Sequence, residues 1–215
     1  MGAEELRNRF FKRVLDVTLS LLSLILFSPI LVVIAIAVRL SSKGPVIFKQ
    51  QRVGRHGKPF TFYKFRTMKM DVDAFGPSPK TSDDPRLTKV GKLLREYSLD
   101  ELPQLFNVLK GDMSIVGPRP LYVSQMAEWN EEEKKRLLVR PGVTGLSQIK
   151  GRASLTQEDK AKLEVEYVEN RSFWLDIKII LLTFGVIFGK KGVYEKRYSE
   201  KEQTRGEKES SSNQN

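Results

Sequence analysis

Apolar positions are unevenly spread along the chain. Residues 14–38, VLDVTLSLLSLILFSPILVVIAIAV, form an oily run with Asp16 embedded near its start and Ser28-Pro29 near its middle. At about 1.5 Å rise per helical residue, the run is long enough for a hydrocarbon core of about 30 Å. Proline withdraws one backbone donor and pushes the preceding residue out of helical geometry. The pattern therefore predicts a helix, a break at Ser28 and Pro29, and a second helix, each arm about half a bilayer deep. Arg7, Arg9, Lys12 and Arg13 precede the run, and Arg39, Lys43 and Lys49 follow it. Positive charge marks the cytoplasmic end of a membrane segment. Basic flanks at both ends favour a hairpin that enters and leaves by one leaflet over a plain kinked span. A cleaved signal peptide fits poorly, because the run is too long and no small-residue cleavage site follows it.

Past residue 44 the period changes. Pro45–Phe48 and Phe60–Arg66 are short, aromatic and β-branched, and a Gly/Pro-rich turn from Val53 to Pro59 lies between them; this predicts a β-hairpin or an extended pair. Residues 71–85, rich in Asp, Pro, Ser and Gly, predict a surface loop. Helices are expected over 86–97, over Leu102–Leu109 with Pro103 at a tolerated early position, over Trp129–Val139 and over 157–171. Glu131, Glu132 and Glu133 precede Lys134, Lys135 and Arg136, the order that suits a helix dipole, so this cluster reads as a solvated face. Two glycines in Arg140-Pro141-Gly142-Val143-Thr144-Gly145 end that helix. Phe173–Phe188 is apolar but short for a span, and it carries Asp176 and Lys178. It reads equally as a helix in the interface plane, with Phe173 and Trp174 at headgroup depth, or as a core helix. From about Glu195 the chain is polar and reads as a disordered tail.

Composition narrows the chemistry. The chain has 215 residues, a net charge of +11 from 37 basic and 26 acidic residues, no Cys and one His. The basic excess suits an anionic partner: nucleic acid, anionic headgroups or a phosphorylated substrate. The absence of Cys excludes disulfides and thiolate chemistry and fits a reducing compartment. His56, in the turn before Pro59, argues against a His-based zinc site or triad.

Asp100 and Glu101 carry the candidate chemistry. Adjacent acids on a helix point about 100° apart, so they are not a proton-sharing pair by default. One reading is local: Ser98 or Asp100 caps the helix that follows, where acids meet free backbone N–H groups. The other makes one carboxylate a nucleophile on phosphorus or a magnesium ligand. Arg95 lies five residues before Asp100, Arg119 sits between Pro118 and Pro120, and Arg152 follows a glycine. The two prolines stiffen the backbone around Arg119 and preset a fork suited to phosphate. Gly142 and Gly145 either bring backbone N–H groups to a phosphate or form plain turns. Neither a P-loop nor a G-x-G-x-x-G motif is present. Acids, arginines and a lipid-seeking segment together point to transfer of a phosphate-bearing group onto or off a lipid. A different class, a membrane-anchored basic adaptor that binds anionic lipid or nucleic acid without catalysis, leaves the Gly, Pro and Arg around the acid pair unexplained.

Lys64-Phe65-Arg66-Thr67-Met68, the unbroken block from Ser98 to Pro120, and Arg140-Pro141-Gly142-Val143-Thr144-Gly145 closely resemble the bacterial sugar transferase family, the monotopic phosphoglycosyl transferases. The resemblance runs from the Ser28-Pro29 break to about residue 190, in a chain the size of the family's minimal catalytic form. It implies a re-entrant helix in one leaflet of the bacterial inner membrane, with the catalytic domain facing the cytoplasm. It implies transfer of a sugar-1-phosphate from a UDP-sugar to polyprenol phosphate, usually undecaprenyl phosphate, with release of UMP, as the first membrane step of surface glycan or glycoprotein assembly. Asp100 would be the nucleophile, forming a phosphosugar–aspartate near Mg2+, and Glu101 would assist. Arg95 would contact phosphate, and Pro118-Arg119-Pro120 the uridine nucleotide; Lys64, Arg66, Gly142 and Thr144 would complete the substrate site. Nucleic acid is not expected as a partner, and a homodimer is among the oligomeric states left open. The expected fold is α+β and mainly helical: a hairpin with basic flanks over 1–43, a catalytic domain with interfacial amphipathic helices over 44–194, and the tail over 195–215.

Overall fold

The computed structural model describes residues 3–70, 79, 83–151 and 155–189. The expected tail, most of the 71–85 loop and Arg152 lie outside the described residues.

Two helices open the chain, α1 (Ala3–Leu26) and α2 (Ser28–Ser41). They meet at Phe27 with a bend of 65°. Pro29 occupies the first turn of α2, where its missing N–H costs least, and the Ser28 hydroxyl donates to the Ile25 carbonyl at 2.8 Å. The break therefore falls one residue ahead of Ser28-Pro29. No single described helix is long and apolar enough to cross a membrane; the bent pair reaches that length and composition only together. Leu21, Leu22, Ile25, Leu26, Val32 and Val33 are all exposed on the two arms. An apolar surface of that extent marks contact with lipid or protein.

The polar start of α1 is tied into the body. Arg13 donates to the carbonyls of Val108 and Leu109 at 2.6 and 3.0 Å. Lys12 pairs with Asp176 at 2.6 Å, and the Tyr167 hydroxyl donates to the other Asp176 oxygen at 2.7 Å. Buried Asp16 accepts from the Ser114 hydroxyl and the Ile115 N–H.

An antiparallel ribbon follows, β1 (Ile47–Val53) and β2 (Pro59–Phe65), with Phe48 opposite Lys64 and Arg52 opposite Phe60. Side chains alternate across a ribbon. Phe48, Arg52, Phe62 and Lys64 thus share one face, and Lys49, Tyr63 and Phe65 the other. Beyond lie α3 (Lys89–Glu96), a 3-10 turn at Leu99–Glu101, and α4 (Gln104–Lys110). Next come β3 (Ser114–Val116), α5 (Glu131–Lys134), β4 (Gly142–Thr144), α6 (Leu146–Lys150), α7 (Gln157–Asn170) and α8 (Phe173–Phe188). β3 and β4 pair in parallel, Ser114 with Gly142 and Val116 with Thr144. Sequence reading missed this pair, because three-residue strands show no period and the glycines mask the second one.

Among the described residues three apolar clusters hold the body. α7 and α8 bury Tyr167, Val168 and Ile179 against Val116 and Leu146. Ile34 and Val38 of α2, one helical turn apart, pack on Phe65 and Leu94. Phe60 and Phe62 pack on Val108 and Met113. α8 packs one side into the core and leaves apolar side chains exposed on the other. Asp176 and Ile179 are buried, while Trp174, Leu181 and Phe184 are exposed. The cluster expected as a solvated face is so only in part. Lys134 and Lys135 pair with Glu131 and Glu132 at the surface, but Arg136 is buried and pairs with Glu164 of α7.

Candidate active site

The acid pair lies in a turn between two helices and does not cap the second of them. α3 ends at Glu96, and Ser98 takes a left-handed conformation with φ 56° that reverses the chain into Leu99–Glu101. Such a conformation costs a non-glycine residue about 1 kcal/mol or more. α4 starts only at Gln104, with Pro103 at its N-cap and no side chain capping it. The local reading, in which Ser98 or Asp100 caps that helix, is thereby corrected.

Flanking elements fix this turn. Gly91 packs α3 against the strand end so closely that a Cβ there would lie 1.9 Å from the Thr67 carbonyl oxygen. The Thr88 side chain accepts from Gly91 N–H at 2.8 Å, and Thr88 N–H donates to the same Thr67 oxygen at 3.0 Å. α4 is held by Asn107, which is fully buried. Its carboxamide accepts from Tyr63 N–H at 3.1 Å and donates to Thr61 C=O at 2.7 Å, pairing with the open edge of β2 as a strand would.

These contacts bring Lys64, Arg95, Asp100, Glu101 and Arg119 together. Asp100 is 7 % exposed. Burial, then the neighbouring Glu101, pushes its carboxyl up to about 6, against the pull of Lys64, Arg95 and Arg119. Burial likewise brings Lys64 down to about 8, with Asp100 as the main counterweight. Glu101 accepts from Arg119 Nη2 at 3.3 Å. A buried carboxylate facing several cations suits phosphate chemistry: such cations can neutralise an incoming anion, and the acid is poorly solvated.

The Pro-Arg-Pro loop is braced on both sides. Gly117 N–H donates to Thr144 C=O at 2.9 Å and Gly142 N–H to Pro118 C=O at 2.8 Å. Arg119 N–H donates to Glu164 Oε1 at 3.3 Å, and Ser147 and Arg136 bind the same carboxylate. Val53 N–H donates to Leu121 C=O at 3.0 Å. Glu164 and Arg136 escaped the sequence reading, since both lie among ordinary surface charges in the sequence.

Three expected substrate residues are placed elsewhere. Arg66 is buried and donates to the carbonyls of Val38, Ser42 and Lys43, so it closes the C-terminal end of α2. Gly142 uses its N–H on Pro118, and a Cβ there would lie 2.1 Å from Gly117 N; it serves close strand packing. Thr144 is buried with its hydroxyl 2.8 Å from that of Thr183 on α8. Arg52, which the sequence did not single out, stands beside Arg119 and Glu101 and acts electrostatically on both.

Among the described residues no cluster of three or more acids or histidines could enclose a metal. Magnesium bound to a phosphorylated substrate needs only one or two protein carboxylates, the remainder coming from phosphate and water. The Asp100-Glu101 pair fits that donor set. On the opposite face of the β1–β2 ribbon runs an open apolar groove of about 630 Å³, lined by Leu31 and Ala35 of α2, by Phe65 and Phe106, and by Lys49 and Lys110.

The family model described as bacterial sugar transferase matches residues 7–190. The chain is 47 % identical over 182 residues to the uncharacterized sugar transferase EpsL of Bacillus subtilis (strain 168), a match covering 85 % of this chain and 89 % of that protein. It is 46 % identical over 195 residues to the UDP-glucose:undecaprenyl-phosphate glucose-1-phosphate transferase of Escherichia coli (strain K12), covering 87 % of this chain and 42 % of that protein. It is 39 % identical over 184 residues to the UDP-N-acetylgalactosamine-undecaprenyl-phosphate N-acetylgalactosaminephosphotransferase of Aeromonas hydrophila, covering 83 % of this chain and 44 % of that protein. The chain thus spans less than half the length of the last two.

Proposed function

The chain belongs to the bacterial sugar transferase family, and on that premise we propose that it transfers a sugar-1-phosphate from a UDP-sugar to polyprenol phosphate and releases UMP. The observation that carries this reading is the buried Asp100 carboxylate faced by Lys64, Arg95 and Arg119. Transferases acting on undecaprenyl phosphate are among the relatives.

In the first half-reaction a carboxylate oxygen of Asp100 attacks the sugar-bearing phosphorus of the UDP-sugar. The bond from that phosphorus to the bridging oxygen breaks, and its electron pair leaves with UMP. In the second, an oxygen of polyprenol phosphate attacks the same phosphorus and Asp100 leaves as carboxylate. Burial favours the first step, because a poorly hydrated carboxylate is a stronger nucleophile. Lys64, Arg95 and Arg119 hold the phosphates and offset their repulsion from Asp100. Glu101, oriented by Arg119, assists the acceptor. Magnesium, held by Asp100 and Glu101, would supply further neutralisation of the diphosphate.

The same reading places the bent α1–α2 pair as a re-entrant element in one leaflet of the bacterial inner membrane, with the body on the cytoplasmic face. The apolar groove then takes the polyprenyl chain of the acceptor. Its lysines match the acceptor's phosphate, and Phe65 and Pro103 in its wall are close chain neighbours of Lys64 and Asp100.

Intact mass after incubation with a UDP-sugar alone tests the proposal. A sugar-phosphate adduct on the parent and none on Asp100→Asn is expected, together with UMP release that needs no acceptor. Turnover surviving in Asp100→Asn, or UMP release only with acceptor present, overturns the covalent route.

A further inference from the structure

The face of the β1–β2 ribbon that carries Lys64 also carries Arg52. The Arg52 guanidinium lies 3.7 Å from the centre of the Tyr122 ring and 5.6 Å from that of Phe62. Tyr122 lies two residues past the Pro-Arg-Pro loop, and Arg52 and Tyr122 also form a backbone bridge. One guanidinium nitrogen, Nη1, makes a long hydrogen bond to the Pro120 carbonyl at 3.4 Å. Buried Nε has no partner. A buried donor without a partner is rare and points to a ligand group that completes it.

The charge balance points the same way. Arg52 acts on Lys64, Arg119 and Glu101, and Lys64, Arg95 and Arg119 act on Asp100. Four cations against two acids leave a surplus of two positive charges. Desolvating a cation among cations is costly unless an anion arrives. A nucleotide diphosphate brings two negative charges.

We propose that Arg52 is a phosphate-binding residue for the departing nucleotide, held flat on Tyr122 so that its free edge meets the phosphate that leaves as UMP. This rests on the reading of the site as a UDP-sugar transferase. Position separates the roles of the cations. Lys64 is the leading counterweight to Asp100. Arg52 is bound to the Pro120–Tyr122 segment and neighbours Arg119 and Glu101. As the bridging bond breaks, negative charge grows on the UMP phosphate, and a stacked guanidinium there stabilises it without transferring a proton. Tyr122 supplies the surface that orients the guanidinium plane.

The test compares UMP with uridine, measured by calorimetry on the full chain in a bilayer mimic. Arg52→Gln should weaken UMP binding about tenfold or more, as expected for a lost charge-assisted hydrogen bond, while uridine binding stays within about twofold. Arg52→Lys keeps the charge but not the stacked fork, and should lie between. The unfolding midpoint without ligand identifies a variant that fails to fold, and Arg52→Lys then decides. Equal weakening of UMP and uridine would mean that Arg52 only shapes the loop, and unchanged UMP affinity would remove it from the site; either overturns the proposal. A parent chain that binds UMP but forms no Asp100 adduct sinks the covalent mechanism alone. A parent that binds no UMP sinks the role of Arg52, and one that also forms no adduct sinks both.

Discussion

Arg119 Nη2 donates to Glu101 Oε1 at 3.3 Å, and this contact joins the acid turn to the Pro-Arg-Pro loop. The Arg119 side chain is half exposed, so the pair adds little to stability, about 0.2–1 kcal/mol. Its use lies in orientation. A double-mutant cycle of Glu101→Gln and Arg119→Gln should give coupling in unfolding free energy below about 1 kcal/mol. Each single change should lower turnover on the order of a hundredfold. Unimpaired turnover in either single variant would show that the contact serves no step.

Asp100 should be a liability to the empty fold. Its carboxyl is pushed up from 3.8 to about 6. The folded state therefore binds more protons than the unfolded state between those values, and stability falls as pH rises through that window. In metal-free protein Asp100→Asn should be more stable than the parent by on the order of 2 kcal/mol at pH 8. The gain should fade as pH drops from 6 towards 4. Denaturant unfolding at both pH values checks this, and a variant less stable than the parent at pH 8 contradicts the burial argument.

Asn107 ties α4, which follows the turn that carries Asp100, to the strand that carries Lys64. Asn107→Ala would leave Tyr63 N–H and Thr61 C=O without their partner and should cost about 2–3 kcal/mol. Thermal unfolding measures it. A loss below about 0.5 kcal/mol would mean that water replaces the carboxamide and that α4 is held by its apolar contacts alone.

A re-entrant arrangement has a topological consequence. The chain has no Cys, so single cysteines at Asn8 and Lys43, both exposed, can be labelled in intact and opened cells. Both should react only from the cytoplasmic side. Labelling from opposite sides would make the α1–α2 pair a true span.

The break near Ser28 and Pro29, the ribbon, and the helices over 157–170 and 173–188 were legible because each has a local cause: a missing donor, a period of two, or an uninterrupted helical pattern. The acid pair and its arginines were legible as residue types. Their partners were not. Arg66 lies two residues past Lys64, yet the strand ends at Phe65, and beyond it Arg66 turns to the carbonyls at the end of α2. Arg136 belongs to a run of surface charges until Glu164, from a distant helix, meets it. Gly142 reads either as a phosphate-binding residue or as a turn residue, and only the approach of Gly117, just past the parallel partner β3, shows it to be a packing position. In each case the deciding neighbour is remote in the chain, where no local pattern reaches.

The two-stranded ribbon between the acids and the groove is a partition a single sheet thick. Lys64 looks into the polar compartment, and its successor Phe65 into the greasy one. Shifting this segment by a single position would exchange the two, placing an ammonium in the apolar groove and a benzyl ring beside Asp100. Insertions or deletions between Pro59 and Phe65 should for that reason be far less tolerated than substitutions, since the boundary between the charged cluster and the apolar groove is written there in the parity of the residue number.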